Sequence, residues 1–325
     1  MSTMGRVLVT VVAAAVLVAG TAIVVRYMYP GDGALAGKAP AGAPTATPAG
    51  QAQTGAVAVA SATNPKAAGV GAGAAGAPVA PPAPAGPGEA AADDGMALVN
   101  SGRLFQAEVR LSEALRAGVD GAKGKAVREA LNLLADRTQL SGQRLPDDPY
   151  SKTYQVARGD SVTTIGGRFL IPLELVMKLN RMGSPDIAAG QSLKVIQGPV
   201  TVEVFKKRFE IQAWLGDVCL RVYPVAIGKN DATPEGTFTV KIKLRNPPYQ
   251  PQHKAKSEFR DGGAPDNPLG ARWIDIGNHY GIHGTIDPTS IGKEASEGCI
   301  RMNNKDVEEL FDMVVPGATK VMIRP

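Results

Sequence analysis

Cysteine is scarce: the 325 residues hold two, Cys219 and Cys299, too few for the disulfide framework that staples small secreted domains. One bridge between the two stays open from sequence, and it would silence whatever thiol chemistry either supports. Aromatic residues make up only 5%, and no basic run carries them interleaved, which argues against nucleic acid as a partner. Charge is nearly balanced as well: a formal net charge of +5 and a sequence pI of about 9.1 suit an anionic wall or membrane surface. From residue 30 to residue 92 charge and large side chains almost vanish, and Ala, Gly and Pro replace them. Such a segment cannot bury enough apolar area to offset its conformational entropy, so a disordered tether is expected there.

Residues 7–25 are apolar or small throughout and lie between Arg6 and Arg26. At about 1.5 Å per residue they are long enough to cross a bilayer core of roughly 30 Å. The rival is a cleaved secretory signal, with Ala34-Leu35-Ala36 before Gly37 as its small-residue cleavage site. The length of the apolar stretch and its distance from Ala36 favour an uncleaved transmembrane helix within residues 1–29. On either reading the remainder of the chain is exported.

Helical patterning begins at Asp93 or Asp94. Leu104, Ala107, Leu111, Ala114 and Leu115 share one face of a helix ending near Gly118, and Val127, Ala130, Leu131 and Leu134 repeat the pattern. With residues 96–100 and the Ser101-Gly102-Arg103 turn, the stretch 93–145 resembles a tetratricopeptide-like helical hairpin. One repeat lacks neighbours on which to bury its face, which leaves two readings: a helical spacer, or a small module for a protein partner.

The run YQVARGDSV at residues 154–162, with Ile165, a helical stretch over 172–180 and GQSLKV at 190–195, resembles a lysin motif (LysM). The resemblance implies a small α+β domain over residues 151–198, ordered strand, helix, helix, strand, that binds glycan chains containing N-acetylglucosamine. Carried onto this sequence, its binding residues are Gly159, Asp160, Ser161 and Val162 with Asp186 and Ile187. Local signals agree, since Asp160 or Ser161 suits a helix cap, Pro172 a first helical turn, and Gly190-Gln191 the turn into the last strand. Gly166 and Gly167 are expected to weaken the first helix by up to about 1 kcal/mol each relative to alanine. A single lysin motif usually needs help to hold glycan, so packing against the rest of the protein is the other role open to this domain.

Short β-rich runs follow over residues 200–205, 209–215 and 218–227, separated by Lys206-Lys207-Arg208 and by Gly216-Asp217, and they predict an antiparallel meander. Cys219 sits in the third run with neither a nearby histidine nor a glycine turn, which favours a structural role. A further strand is expected over 237–244, then a long surface loop over 245–268 that holds His253. Strands over 273–276 and 280–283, an amphipathic helix over 303–313 and a closing strand over 321–323 complete the pattern.

The stretch YGIHGTIDPTSIGKEASEGCIRM, residues 280–302, sets His283 and Cys299 in one segment rich in small and turn-forming residues. A cysteine attacks as thiolate, and a neighbouring imidazole is the usual acceptor for its proton. Ser296, Glu297, Gly298 and Cys299 form a small-residue turn in which Gly298 lets the main chain pass close under the sulfur. The N–H groups of Gly298 and Cys299 are candidates to meet a developing oxyanion. The plainer alternative for a lone cysteine is a small buried hydrophobe. His279 and His283 would share a face of an extended segment, which with Cys299 raises a zinc reading, but no fourth ligand stands at a familiar spacing. No metal or other cofactor is expected.

His-Gly-Thr at 283–285, Asp287-Pro288, Ser290-Ile291-Gly292 and Ser296-x-Gly298-Cys299-Ile300-Arg301-Met302 together resemble the signature of the L,D-transpeptidase catalytic domain of bacterial cell-wall enzymes. Thr233-Pro234-Glu235-Gly236-Thr237-Phe238 and Asn267-Pro268-Leu269-Gly270 agree, and the resemblance covers residues 200–325. It implies a mainly β domain in a multidomain chain. The implied chemistry is attack by Cys299 on a peptidoglycan stem tetrapeptide, release of D-alanine, and acyl transfer to an amine of another stem. His283 would serve as base and then acid, Gly284 would orient the imidazole through its carbonyl, and Ser296 and Gly298 would shape the turn. Arg301 is placed to meet a substrate carboxylate, an internal salt bridge being its alternative, and Tyr280 and Thr285 join it as substrate-binding candidates. Where the family commonly has His in the turn, this chain has Glu297, an anion that raises the thiol pKa if it points inward. Stem peptides and glycan strands are the expected partners, together with a membrane at the N-terminus. The expected location is the cell envelope, anchored in the inner membrane with the catalytic part in the periplasm or exported to the wall. Water as acceptor would make the chain an L,D-carboxypeptidase, and a protein lysine would make it a wall-anchoring transferase. A non-catalytic peptidoglycan-binding tether is the competing class.

Overall fold

Small side chains let the first helix lie close against the second. In a computed structural model describing residues 86–251 and 256–325, α1 (Pro87–Asn100) buries Gly88, Ala91, Ala92 and Gly95. A Cβ on Gly95 would stand 2.6 Å from Leu111 of α2 (Leu104–Arg116). The expected tether therefore ends before residue 87 rather than at 92: the Ala and Gly that read as disorder serve close helix packing instead. The expected membrane segment, the tether up to residue 85 and His253 lie outside the described residues. Among the described residues no helix is long and apolar enough to cross a membrane.

A third helix, α3 (Gly121–Ala135), completes a three-helix unit where a two-helix hairpin was expected. The unit does not lack neighbours. Leu111, Leu115, Leu131 and Leu134 share one buried cluster with Trp214, Cys219 and Val222 of the sheet below. Ser112 Oγ accepts a hydrogen bond from the Cys219 N–H at 2.9 Å, and the Arg116 guanidinium lies 3.9 Å above the Trp214 ring. Burying each such apolar side chain is worth about 1.5–3 kcal/mol, ample to hold the helices on the sheet.

The next domain has the expected order: β1 (Ser151–Gln155), α4 (Val162–Phe169), α5 (Leu173–Leu179) and β2 (Ser192–Ile196), with β1 and β2 antiparallel. Ser161 caps α4 in a reciprocal capping box with Thr164. Gly166 is needed where it stands, because a Cβ there would fall 2.6 Å from the Ile171 carbonyl oxygen. The cost expected for that glycine is the cost of close packing. The domain shares its apolar core with the strands that follow, Ile165, Leu175 and Leu179 being continuous with Val200, Val202 and Ile323. Lys178 pairs with Glu309 at 2.9 Å and Glu174 with Arg245 at 2.9 Å. Lys194 Nζ donates to the carbonyls of Thr138, Gln139, Ser141 and Gln143 just beyond α3.

The expected meander is present as β3 (Thr201–Phe205), β4 (Glu210–Leu215) and β5 (Val218–Pro224), successive neighbours being antiparallel. The last strand, β13 (Lys320–Arg324), runs parallel beside β3 and antiparallel to β7 (Gly236–Thr239), which closes a five-stranded sheet in the order β5-β4-β3-β13-β7. The single strand expected over 237–244 is instead β7 and β8 (Lys243–Arg245), which belong to different sheets. β8 edges a second sheet, ordered β12-β10-β9-β8, built with β9 (Arg272–Gly277), β10 (Tyr280–His283) and β12 (Ile300–Arg301). A two-stranded pair of β6 (Ile227–Gly228) and β11 (Glu294–Ser296) and a helix α6 (Asn304–Phe311) complete the fold. Val307, Leu310 and Phe311 are the buried residues of α6.

Candidate active site

β10 and β12 lie parallel, Ile282 opposite Ile300 and His283 opposite Arg301. Side chains alternate across a sheet, so Ile282 and Ile300 enter the core together while His283, Arg301 and the residue just before Ile300, Cys299, belong to the other face. The parallel register thus places Cys299, just before β12, one diagonal step along the backbone from His283. His279, by contrast, is not in the strand: with Asn278 it forms the positive-φ turn between β9 and β10. The face it was expected to share with His283 does not exist there, and its backbone carbonyl instead lies 3.9 Å from Cys299 Sγ. Among the described residues no three His, Cys, Asp or Glu gather as a metal site.

His283 is only 5% exposed and stacks on Trp273, ring centroids 5.6 Å apart. Its Nδ1 lies 2.6 Å from the Gly284 carbonyl. A carbonyl only accepts, so Nδ1 carries the proton and Nε2 is left as an acceptor. Burial draws the imidazole down to about 4, helped by the Arg301 charge and opposed by hydrogen bonds to the Gly284 and Leu269 carbonyls. Burial also pushes the Cys299 thiol up, while a backbone hydrogen bond at Gly281 and the charge of Arg301 pull the other way. Near neutral pH the imidazole and the thiol are both neutral. Both cysteines are free thiols, Cys219 fully buried and Cys299 partly exposed, so the bridge left open by the sequence is not formed.

The turn before Cys299 is held from three sides. Gly298 has φ +134°, and a Cβ there would stand 2.7 Å from the Tyr280 ring. Ser296 Oγ donates to the Cys299 carbonyl at 2.5 Å and accepts from the Gly298 N–H at 3.1 Å. The Gly298 N–H is therefore spent inside the turn, and the Cys299 N–H remains as the candidate oxyanion donor of the expected pair. Thr233, singled out only as part of a motif, receives the Gly228 N–H at 2.8 Å and donates to the Gly298 carbonyl at 2.9 Å. Trp273 and Thr233 are the supports that sequence reasoning left without a role; the TPEGTF motif was the available signal for the second.

Arg301 makes no ion pair among the described residues, and its buried Nε has no hydrogen-bond partner. Tyr280 is half-buried against the Gly298 turn. Thr285 is buried, and its hydroxyl is engaged with the Asp287 backbone, which makes it part of the loop rather than a free donor. Glu297 is exposed. In the preceding domain Gly159 takes φ +89° at the first loop. Asp160 accepts from the Tyr154 hydroxyl at 2.6 Å and the Ala157 N–H at 2.8 Å, and Ser161 caps α4. Val162 is 1% exposed, so its side chain lies in the core and not on a binding surface. Asp186 receives the Ser184 hydroxyl at 2.8 Å, and Ile187 packs partly buried against the core.

The L,D-transpeptidase catalytic domain model of the YkuD family matches residues 199–323, and the LysM domain model matches residues 154–195. YkuD of Bacillus subtilis, named as an L,D-transpeptidase, is 36% identical over 181 residues, which span 53% of this chain and 98% of that protein. YqjB of the same organism, also named as an L,D-transpeptidase, is 44% identical over 135 residues, covering 39% of this chain and 73% of its own.

Proposed function

The chain belongs to the L,D-transpeptidase family, acyl transferases of the cell wall, and from that premise we propose that Cys299 is its nucleophile and His283 its base. The observation that carries this reading is the hydrogen bond from His283 Nδ1 to the Gly284 carbonyl, which leaves Nε2 unprotonated on the strand face that Cys299 shares. Nε2 takes the thiol proton as Sγ attacks the carbonyl between the third and fourth residues of a stem tetrapeptide. The tetrahedral oxyanion meets the Cys299 N–H. Collapse breaks the amide bond, His283 returns the proton to the departing D-alanine amine, and a thioester on Cys299 remains. An amine of a second stem then attacks the thioester, giving its proton to Nε2, and the thiol is regenerated. Arg301, with its unpartnered Nε, suits the carboxylate of a stem as a planar fork, and Tyr280 walls the turn beside it.

The LysM domain binds peptidoglycan glycan through the loops at Gly159 to Ser161 and at Asp186 and Ile187, which brings the polymer to the transferase. Residues 7–25 anchor the chain in the membrane and residues 30–85 supply reach, with the catalytic part in the periplasm or at the wall. Incubation of the soluble part with disaccharide-tetrapeptide, followed by mass spectrometry, tests the assignment. The expected product is a cross-linked dimer lacking one D-alanine, with a covalent adduct on Cys299 that Cys299→Ala abolishes. Tripeptide alone would make water the acceptor, and turnover that survives Cys299→Ala would refute the nucleophile.

A further inference from the structure

The Gly284 carbonyl faces the His283 imidazole at Nδ1, 2.6 Å away, and the backbone at Leu269, in a separate segment of chain, lies near enough to favour its protonation. One side chain ties those segments together. Asn304, the first residue of α6, accepts the Ala271 N–H on Oδ1 at 3.0 Å and donates from Nδ2 to the Thr285 carbonyl at 3.0 Å. Ala271 lies two residues past Leu269, and Thr285 immediately follows Gly284. The carboxamide sits so close to both backbones that a Cβ on Gly284 or on Gly270 would fall well inside contact distance of Asn304 Oδ1. This gives Gly284 a reason to be glycine that its carbonyl does not, since every residue has a carbonyl: it makes room for Asn304.

We propose that Asn304 is a positioning residue for the transfer reaction, its carboxamide clamping the loop after His283, whose Gly284 carbonyl holds the ring in the Nδ1–H tautomer, to the segment at Ala271. The inference rests on His283 being the base. A free neutral imidazole favours the opposite tautomer, with the proton on Nε2, and such a ring cannot take a proton from the thiol there. Once the clamp is lost, the Gly284 N–H still meets the Arg272 carbonyl at 3.2 Å, but the Thr285 end is released and the Gly284 carbonyl loses its fixed bearing on Nδ1. Asn304 is itself exposed at a helix start, so its removal leaves the core untouched.

The test is Asn304→Ala in the full chain, with Asn304→Ser in its place if the alanine variant does not fold. Ring nitrogen chemical shifts of His283 report the tautomer directly, and its signals are assigned by their loss in His283→Gln. The expected result is a single Nδ1–H form in the unmodified protein and a mixture in the variant. For the transfer reaction kcat should fall about tenfold or more while KM for stem tetrapeptide stays within about twofold. A ring that keeps the Nδ1–H form in the variant overturns the proposal, whatever happens to the rate. The nitrogen shifts need no turnover, so a protein whose tautomer changes but which never acylates on Cys299 would refute the proposed base and leave the clamp standing.

Discussion

Replacing Glu108 with glutamine should stabilise the protein near neutral pH, and the gain should vanish in mild acid. Glu108 lies on α2 with no exposed surface. One of its oxygens has no hydrogen-bond partner, and the other receives only a long bond, 3.5 Å, from Gln139 Nε2. Burial pushes its carboxyl from 4.5 up to about 8; Asp148 adds to the push, while the nearby Thr138 hydroxyl and the charges of Arg221 and Lys194 pull it back. Between those two values the folded protein holds a proton that the unfolded chain releases, so the residue's contribution to stability falls as pH rises. The cost is near zero at pH 4, about 3 kcal/mol at pH 7, and levels off near 5 kcal/mol above pH 8. Glutamine has almost the same shape and carries no proton to lose. Urea unfolding of both proteins from pH 4 to pH 8.5, followed by circular dichroism, should give curves that coincide at the acid end and separate steadily above it. A Glu108→Gln protein that is the less stable at pH 7, with a gap that does not change with pH, would refute the reasoning and mean that Glu108 is ionised and paired.

In the native protein one thiol should react and one should not. A thiol reagent labels Cys299 alone, because burial pushes Cys219 far above the usual thiol range and closes it to solvent; mass spectrometry that finds Cys219 labelled before unfolding would contradict the docking of the helices on β5. Gly298→Ala should cost about 1–3 kcal/mol of stability, since alanine at φ +134° is strained and its Cβ would meet the Tyr280 ring at 2.7 Å. It should also cut acylation of Cys299 about a hundredfold through misplacement of the sulfur. A variant with unchanged melting temperature and rate would show that the turn tolerates a side chain.

Much of the catalytic part was legible because its chemistry depends on local spacing. The meander could be read from alternation and turns, and the cassette from His283 to Cys299 from residue types that a close backbone approach demands. What escaped was long-range. β4 and β5 are buried on both faces, and strands of that kind read as near-continuous apolar runs. The VCLRVY run and Trp214 therefore carried a sign that something covers the outer face of the sheet, and α2 and α3 are what covers it. The first turns of α1, before Asp93, were missed for a different reason, since Ala and Gly lower apolar content whether they lie in a tether or in a close helix pair. Hydrogen-bond assignment was beyond reach altogether: nothing in the order Ser296-Glu297-Gly298 says that the serine hydroxyl takes the Gly298 N–H, nor that Val162 points inward beside capping Ser161.

The departure at Glu297 can now be weighed against the other charges on the thiol. Burial is the largest influence on Cys299, and Arg301 lowers what burial raises. Glu297 also raises the thiol, but it contributes less than either of these and is itself exposed, so solvent screens it. The same Arg301 that eases ionisation of the thiol disfavours protonation of His283. Its charge thus opposes an ion pair preformed on the histidine while favouring the thiolate on its own. On the proposed assignment the proton is expected to stay on sulfur until attack begins, so that its transfer to Nε2 accompanies formation of the bond to the stem carbonyl. In such a site rate depends on the bearing of the imidazole at that moment more than on the resting charge of the cysteine. If His283 is the base as proposed, its supports, namely Trp273, the Gly284 carbonyl and the segments behind it, should matter more to the rate than the residue at position 297.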